Sequence, residues 1–350
     1  MNNSIINGKP WYDNNGNRIQ AHGGSILFHN NTYYWYGENK EKTAPNNGIW
    51  QWGVRLYSSK DLYNWCDEGL ILYPNTEDVN SPTHPSACLE RPHIIFNDFT
   101  KQFVMWAKVM GKDGIQYMVV SKSDTIKGPF EPLKIINPCG LSSGDFDLVK
   151  EENGHAYIIF EQVHTSMIIA DLTDDYTDVT GEFSRHLELT HPPFVREAPA
   201  YFTRNNKHYI FTSGTTAYLP NMSLTYSFDE FHSDFKELGN SHVNDATDTS
   251  FYSQITSVLR VPNTELYIAL ADRWVSDIKL LDGVNSTELF INMHDESVAD
   301  NIREKSTKDF MNIHNKINTS LSEYVWLPVR WKEDTPYIEW LEDWKIEDYL

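Results

Sequence analysis

Tyr33-Tyr34-Trp35-Tyr36, entered from the hydrophilic turn Asn30-Asn31, decides the fold, because its pattern returns four more times. Asp98 to Lys101 precedes Phe103-Val104-Met105-Trp106, and Glu152-Asn153-Gly154 precedes Ala156-Tyr157-Ile158-Ile159-Phe160. Asn205-Asn206-Lys207 leads into His208-Tyr209-Ile210-Phe211, and Pro262-Asn263-Thr264-Glu265 into Leu266-Tyr267-Ile268-Ala269-Leu270. A polar turn followed by aromatic and β-branched residues marks the second strand of a hairpin. The runs begin at residues 33, 103, 156, 208 and 266, a period of 52 to 70 residues. Repetition on that scale predicts an all-β, five-bladed β-propeller, each repeat being a small antiparallel sheet set round a central axis. Five repeats use all 350 residues as a single domain. The innermost strands are expected near 26–29, 93–96, 146–149, 199–202 and 255–259.

Past each aromatic run the chain behaves alike. Arg55-Leu56-Tyr57-Ser58-Ser59, a polar turn and Trp65 read as an outer hairpin with an aromatic closing over it. Met118 to Asp124 with Phe130, Met167 to Asp171 with Tyr176, and Leu224 to Asp229 with Phe231 repeat the unit. One segment departs from this. Residues 275–322 separate the fifth aromatic run from the closing strand Tyr324 to Val329, and Glu296 to Ile317 within it has loosely helical apolar spacing. A partly helical insertion in the last blade serves as a lid, as a contact in a homo-oligomer, or as a solvated excursion.

Composition narrows the function. With 29 basic against 49 acidic residues the net charge is −20, which repels nucleic acid and acidic membranes and favours a neutral substrate. Cys66, Cys88 and Cys139 are odd in number and widely spaced, the pattern of reduced structural thiols. The N-terminus carries no apolar stretch of the secretory kind, and no run approaches a membrane span, so a cytoplasmic location is expected. No phosphate loop, metal cluster or nucleophile elbow is present, and neither a cofactor nor a metal is expected. Asp171, Asp174, Asp175 and Asp178 lack calcium-loop spacing and read as a solvated turn.

A propeller brings the start of every innermost strand to one funnel. That slot holds His22-Gly23-Gly24, Glu90-Arg91-Pro92, Ser143-Gly144-Asp145-Phe146-Asp147, Arg196-Glu197-Ala198-Pro199 and Ser253-Gln254. Glu90, Asp145, Glu197 and Gln254 stand 11 to 13 residues before their aromatic runs. Three carboxylates and an amide in register suggest acid–base chemistry.

These phrases together resemble glycoside hydrolase family 43, and most closely its exo-β-1,3-galactanase branch. The match includes Tyr33 to Glu38, Asn153 to Tyr157, Thr212-Ser213-Gly214, Asp272-Arg273-Trp274 and Tyr324 to Pro328, and it spans about residues 20 to 331. The resemblance implies an inverting exo-glycosidase acting on terminal β-1,3-linked galactose, with Glu197 as acid and Asp145 as the carboxylate that keeps it protonated. The family's usual base, an aspartate opening the first blade, is replaced by Ala21-His22-Gly23. In the galactanase branch a glutamine matching Gln254 handles the water, with a glutamate matching Glu90 near the sugar. A neutral amide is a weak base, so Glu38 or Glu90 is an alternative acceptor of the proton.

The remaining candidates are substrate contacts: Glu38, His22, Trp35, Trp106, Tyr218, Arg273 and Trp274. Each has a plainer reading. His22 is equally a structural histidine, Arg273 a partner of Asp272, and the aromatics blade-to-blade core. Asp147, two residues beyond Asp145 on one strand face, competes for the modulator role. Rival functions are an α-L-arabinofuranosidase or β-galactofuranosidase of the same family, or a non-catalytic sugar-binding propeller.

Overall fold

The computed structural model describes residues 2–111 and 114–350. After β1 (Ile5–Ile6), the first blade is β2 (His22–His29), β3 (Thr32–Glu38), β4 (Val54–Ser59) and β5 (Cys66–Leu72). The second is β6 (Cys88–Phe96), β7 (Phe103–Met110), β8 (Gln116–Ser123) and β9 (Glu131–Ile136). The third is β10 (Ser143–Lys150), β11 (Ala156–Gln162), β12 (Ser166–Leu172) and β13 (Val179–His186). The fourth is β14 (Arg196–Arg204), β15 (Lys207–Gly214), β16 (Leu224–Phe228) and β17 (Lys236–Gly239). The fifth is β18 (Gln254–Arg260), β19 (Tyr267–Arg273), β20 (Glu323–Lys332) and β21 (Thr335–Tyr337). Strand order in every blade follows the chain. The first strands β2, β6, β10, β14 and β18 pack on one another in sequence, and β18 meets β2 to close the ring.

The aromatic runs are apolar without alternation because both sheet faces are covered. On β11, Ile158 and Phe160 join Trp106 and Val120 of the second blade, while Tyr157 and Ile159 join Ile210 and Tyr226 of the fourth. Trp35 and Trp65 meet Leu270 and Trp326 in the seam between first and fifth blades. Near this seam the N-terminal segment is laced to the end of the chain. β1 pairs with β22 (Asp343–Trp344), Asn7 Nδ2 donates to the Leu341 carbonyl at 2.9 Å, and Trp326 N donates to Asn7 Oδ1 at 2.7 Å.

The innermost strands contain every expected range but begin one to five residues earlier. The reason is a β-bulge repeated in all five. Register slips between His22 and Ser25, Glu90 and His93, Ser143 and Phe146, Glu197 and Ala200, and Ile255 and Ser257. Glu90, Glu197 and Gln254 therefore stay in the ladder beyond a kink that turns them toward the axis, while Asp145 lies within its bulge. Gly23, Arg91 and Ala198 take left-handed φ values of 60°, 53° and 49° there, which costs a non-glycine residue about 1 kcal/mol. Gly24 has no alternative: a Cβ would lie 1.8 Å from the Tyr36 carbonyl oxygen.

The insertion folds as α1 (Ser286–His294) and α2 (Asp300–His314). The second helix lies in the expected region; the first was not foreseen, being nine residues long and set by its cap, Asn285 Oδ1 accepting from Glu288 N at 3.0 Å. Phe290, Leu281 and Ile317 pack with Val275 and with Leu219 from the fourth blade. The insertion is thus seated on the ring. No helix among the described residues is long and apolar enough to cross a membrane.

Candidate active site

Where the bulged strand starts converge, a cavity of about 170 Å³ is lined by Glu38, Glu90, Asp145, Glu197, Tyr218, Gln254 and Trp274. Seven sequence-predicted residues therefore meet in one place. They come from the first, second, third, fourth and fifth blades.

Two cations organise the carboxylates. Lys108 Nζ lies 2.6 Å from Glu90 Oε2 and 2.9 Å from Asp145 Oδ1. Arg91 Nη2 lies 2.9 Å from Asp145 Oδ2 and donates also to Gln254 Oε1, while its backbone N donates to Glu38 Oε1 at 3.1 Å. Burial alone would raise the Asp145 pKa, but Arg91 and Lys108 outweigh it and bring it down to about 2. Glu90 follows the same rule: burial resists ionisation, and Lys108 with Lys40 overcomes it, holding the carboxyl below its usual range. Glu197 has no such partner. Burial first, then the charges of Asp145 and Glu161, push its pKa well above the usual carboxylate value. Glu38, paired with Lys40 Nζ at 2.8 Å, is pushed up to about 7 by burial and by Glu90. One fixed anion beside one held proton is a division of labour suited to general acid chemistry.

Gln254 is fully engaged. Its Oε1 accepts from Arg91 and, at 3.0 Å, from Trp274 Nε1; its Nε2 donates to Ser213 Oγ at 2.7 Å and Glu197 Oε1 at 3.1 Å. Since Arg91 and Trp274 are both donors, they fix which end of the amide is oxygen. Tyr218 donates to Glu90 Oε1 at 3.3 Å, and its ring packs against Trp50, Trp274 and His314. His314 ends α2, so the insertion reaches the cavity wall.

Four expected contacts are corrected. His22 is fully buried, its Nδ1 2.8 Å from Asp272 Oδ1 and its ring stacked on Tyr324; burial lowers its pKa. It braces the funnel wall and does not face the cavity. Arg273 neither reaches the cavity nor pairs with Asp272, because neighbours on a strand point to opposite faces. It donates to the Phe251 carbonyl at 3.1 Å and sits 5.4 Å from the Trp340 ring. Trp35 and Trp106 are buried in the seams, Trp106 Nε1 donating to the Tyr176 carbonyl at 2.9 Å. Both stand on second strands, whose middles fill the space between blades. Asp147 is also separated from the cavity. It lies on the far side of the channel, 2.9 Å from His93 Nδ1 and accepting from Tyr201 N at 2.8 Å, so Asp145 alone of the two faces the acid.

Sequence reading missed Lys108, Lys40, Glu161 and His314. A signal for the first and third existed. The second strands end in a polar residue set across from the slot: Glu38 opposite His22, Lys108 opposite Glu90, Ser213 opposite Glu197, Asp272 opposite Gln254. A lysine inside Phe103 to Met110, or a glutamate after Ile158-Ile159-Phe160, is a buried charge in an apolar run and calls for a partner. Among the described residues no group of three or more His, Cys, Asp or Glu side chains is placed to hold a metal.

Comparison with known proteins supplies the family. The model of glycosyl hydrolases family 43 matches residues 17–268. A solved family 43 β-1,3-galactosidase is 28% identical with a TM-score of 0.78; the match covers all of this chain and 65% of that one, so the chain spans just under two thirds of its length. A second, solved with galactodeoxynojirimycin, is 27% identical with a TM-score of 0.79, covering 98% of this chain and 100% of the other. An exo-β-1,3-galactanase from Clostridium thermocellum is 27% identical with a TM-score of 0.75, covering 98% and 66%. No curated protein sequence matches. With the family model covering most of the chain and the propeller and its carboxylates in place, this chain belongs to glycosyl hydrolase family 43.

Proposed function

We propose that this protein is an inverting exo-glycosidase that removes terminal β-1,3-linked galactose from galactan-derived oligosaccharides. The observation that carries the reading is the pairing of Glu197, buried with its proton, and Asp145, held ionised by Arg91 and Lys108. Glu197 protonates the departing glycosidic oxygen, and Asp145 keeps it a competent acid until that moment. The small cavity favours recognition of one terminal ring, and the solved relatives named for β-1,3-galactose chemistry support the sugar assignment.

An inverting site needs water on the face opposite the acid, with the two catalytic groups about 6.5–9.5 Å apart. Gln254 is hydrogen bonded to Glu197 itself, and its oxygen already accepts from two groups that cannot receive a proton. We therefore assign Gln254 to orienting the acid, and the proton from water to Glu90, a carboxylate on the same cavity that Lys108 and Lys40 hold below its usual pKa. Glu38, which takes protons near neutrality, holds the Arg91 loop and contacts the sugar. Tyr218, Trp274 and Trp50 form the aromatic wall.

Two measurements follow. Proton NMR of β-1,3-galactobiose hydrolysis should give α-galactose first; a β first product overturns the inverting assignment, and turnover of an aryl arabinofuranoside without galactoside turnover overturns the sugar. Tyr218→Phe removes one hydrogen bond to Glu90, worth roughly 1 kcal/mol or about fivefold. It should lower kcat by that factor with KM nearly unchanged, and a change confined to KM would place Tyr218 in sugar binding alone.

A further inference from the structure

Glu161 is a buried carboxylate that does not line the cavity, yet its charge bears on Glu197. It stands near the end of β11 at 2% exposure. Tyr157 and Ile159 on the same strand point into the seam with the fourth blade, so Glu161, next in the alternation, points there too. β11 packs against β14, whose start carries Glu197. Space for the carboxylate is made by Gly144, where a Cβ would lie 2.2 Å from Glu161 Oε2. The other oxygen is clamped by one residue: Glu161 Oε1 accepts from His164 N at 2.8 Å and lies 3.0 Å from His164 Nδ1. The His164 side chain is 47% exposed, reaching inward from a left-handed turn at φ 54°. An ionised group buried this way destabilises a fold unless something holds it, and here a solvent-facing histidine does.

We propose that Glu161, clamped by His164, is a positioning residue for Glu197: a second fixed negative charge behind the acid that, with Asp145, keeps the proton in place. This rests on the acid role of Glu197 given above. The charges that act on Glu197 are those of Asp145 and Glu161, which favour its proton, and of Lys108 and Arg91, which oppose it. Asp145 touches both of those cations directly, so much of its charge is cancelled at every pH. Glu161 has a partner that titrates. His164 feels Glu161 foremost, then Lys108 and Asp145, and His294 of α1 lies in its field; the bond to Glu161 raises its pKa. As pH rises and His164 loses its proton, the full charge of Glu161 remains behind Glu197, where it opposes loss of the catalytic proton.

The test is the pH dependence of kcat/KM on one β-galactoside. Its alkaline limb reports loss of the Glu197 proton. Glu161→Gln should move that limb toward acid by roughly one pH unit, a tenfold loss on the limb, while the acidic side is retained. His164→Ala, at a site open to solvent, removes the imidazolium that offsets the Glu161 charge and should move the limb the other way, toward alkali, by less. Superimposed limbs in folded Glu161→Gln and His164→Ala, or an equal loss at all pH values, overturn the proposal. If Glu161→Gln does not fold, His164→Ala decides alone. Asp145→Asn belongs in the same series: a limb unmoved by that change would overturn the acid assignment of Glu197 instead.

Discussion

Glu197→Gln is expected to abolish hydrolysis of galactosides with poor leaving groups while leaving sugar binding and stability nearly intact. The amide has the shape of the protonated acid, and its oxygen still accepts from Gln254 Nε2, as Glu197 Oε1 does at 3.1 Å. Glu197 is held with its proton in a buried site, so a neutral replacement removes no ion pair. What disappears is the transferable proton, and general acid catalysis is worth roughly 10²–10⁴-fold. Aryl galactosides whose leaving groups depart unprotonated should be spared in part. Steady-state kinetics on the two substrate classes, with calorimetric binding of galactose, decides the matter. Equal loss on both classes would make Glu197 a binding residue.

The second large effect is expected at Lys108, which sits between Glu90 and Asp145 and is almost wholly buried. Lys108→Met keeps the length of the stem and deletes the charge. Removing one partner of a buried ion pair costs about 3–5 kcal/mol, because the other charge stays behind. Here two carboxylates are left, and Arg91 still covers Asp145 while Glu90 loses its closest cation. Glu90 should then take up a proton and cease to accept one from water, lowering kcat by roughly 10²-fold or more. Thermal unfolding and turnover measured together test this. Adding Glu90→Gln should recover much of the lost stability, since it removes the stranded charge, without restoring turnover. An unchanged unfolding midpoint in Lys108→Met would mean that the three groups are not coupled as the geometry has them.

Much of this site was legible in the sequence for a mechanical reason. The slot residue and the following aromatic run are joined by one inner strand and one tight turn, so their spacing hardly varies between blades. That made Glu90, Asp145, Glu197 and Gln254 stand out together. The bulges were not legible, since Gly23-Gly24, Arg91-Pro92, Gly144 and Ala198-Pro199 share a place in the register and not a residue type. Lys108 and Glu161 escaped because each sits inside an apolar run that reads as core, and the groups that give them meaning at the site lie elsewhere: Asp145 is 37 residues from Lys108, and Glu197 is in another blade from Glu161. Trp35 and Trp106 were misread because a tryptophan under a sugar and a tryptophan between blades look alike in one dimension. Arg273 failed on strand parity, which places it behind the wall that Asp272 faces.

The lacing of the first residues onto the last has a bearing on how the enzyme is lost. All five blades lend groups to a single cavity, and the circle they form is joined between β18 and β2 by contacts without any peptide link. β1 against β22, with Asn7 bridging Leu341 and Trp326, is the clasp beside that joint. An arc of four blades would keep most of its apolar seams yet hold an incomplete set of catalytic groups at altered distances. The arrangement of the cavity groups is therefore a property of circular closure: undoing the clasp should loosen the joint between β18 and β2 and spread those groups before the seams between the other blades give way.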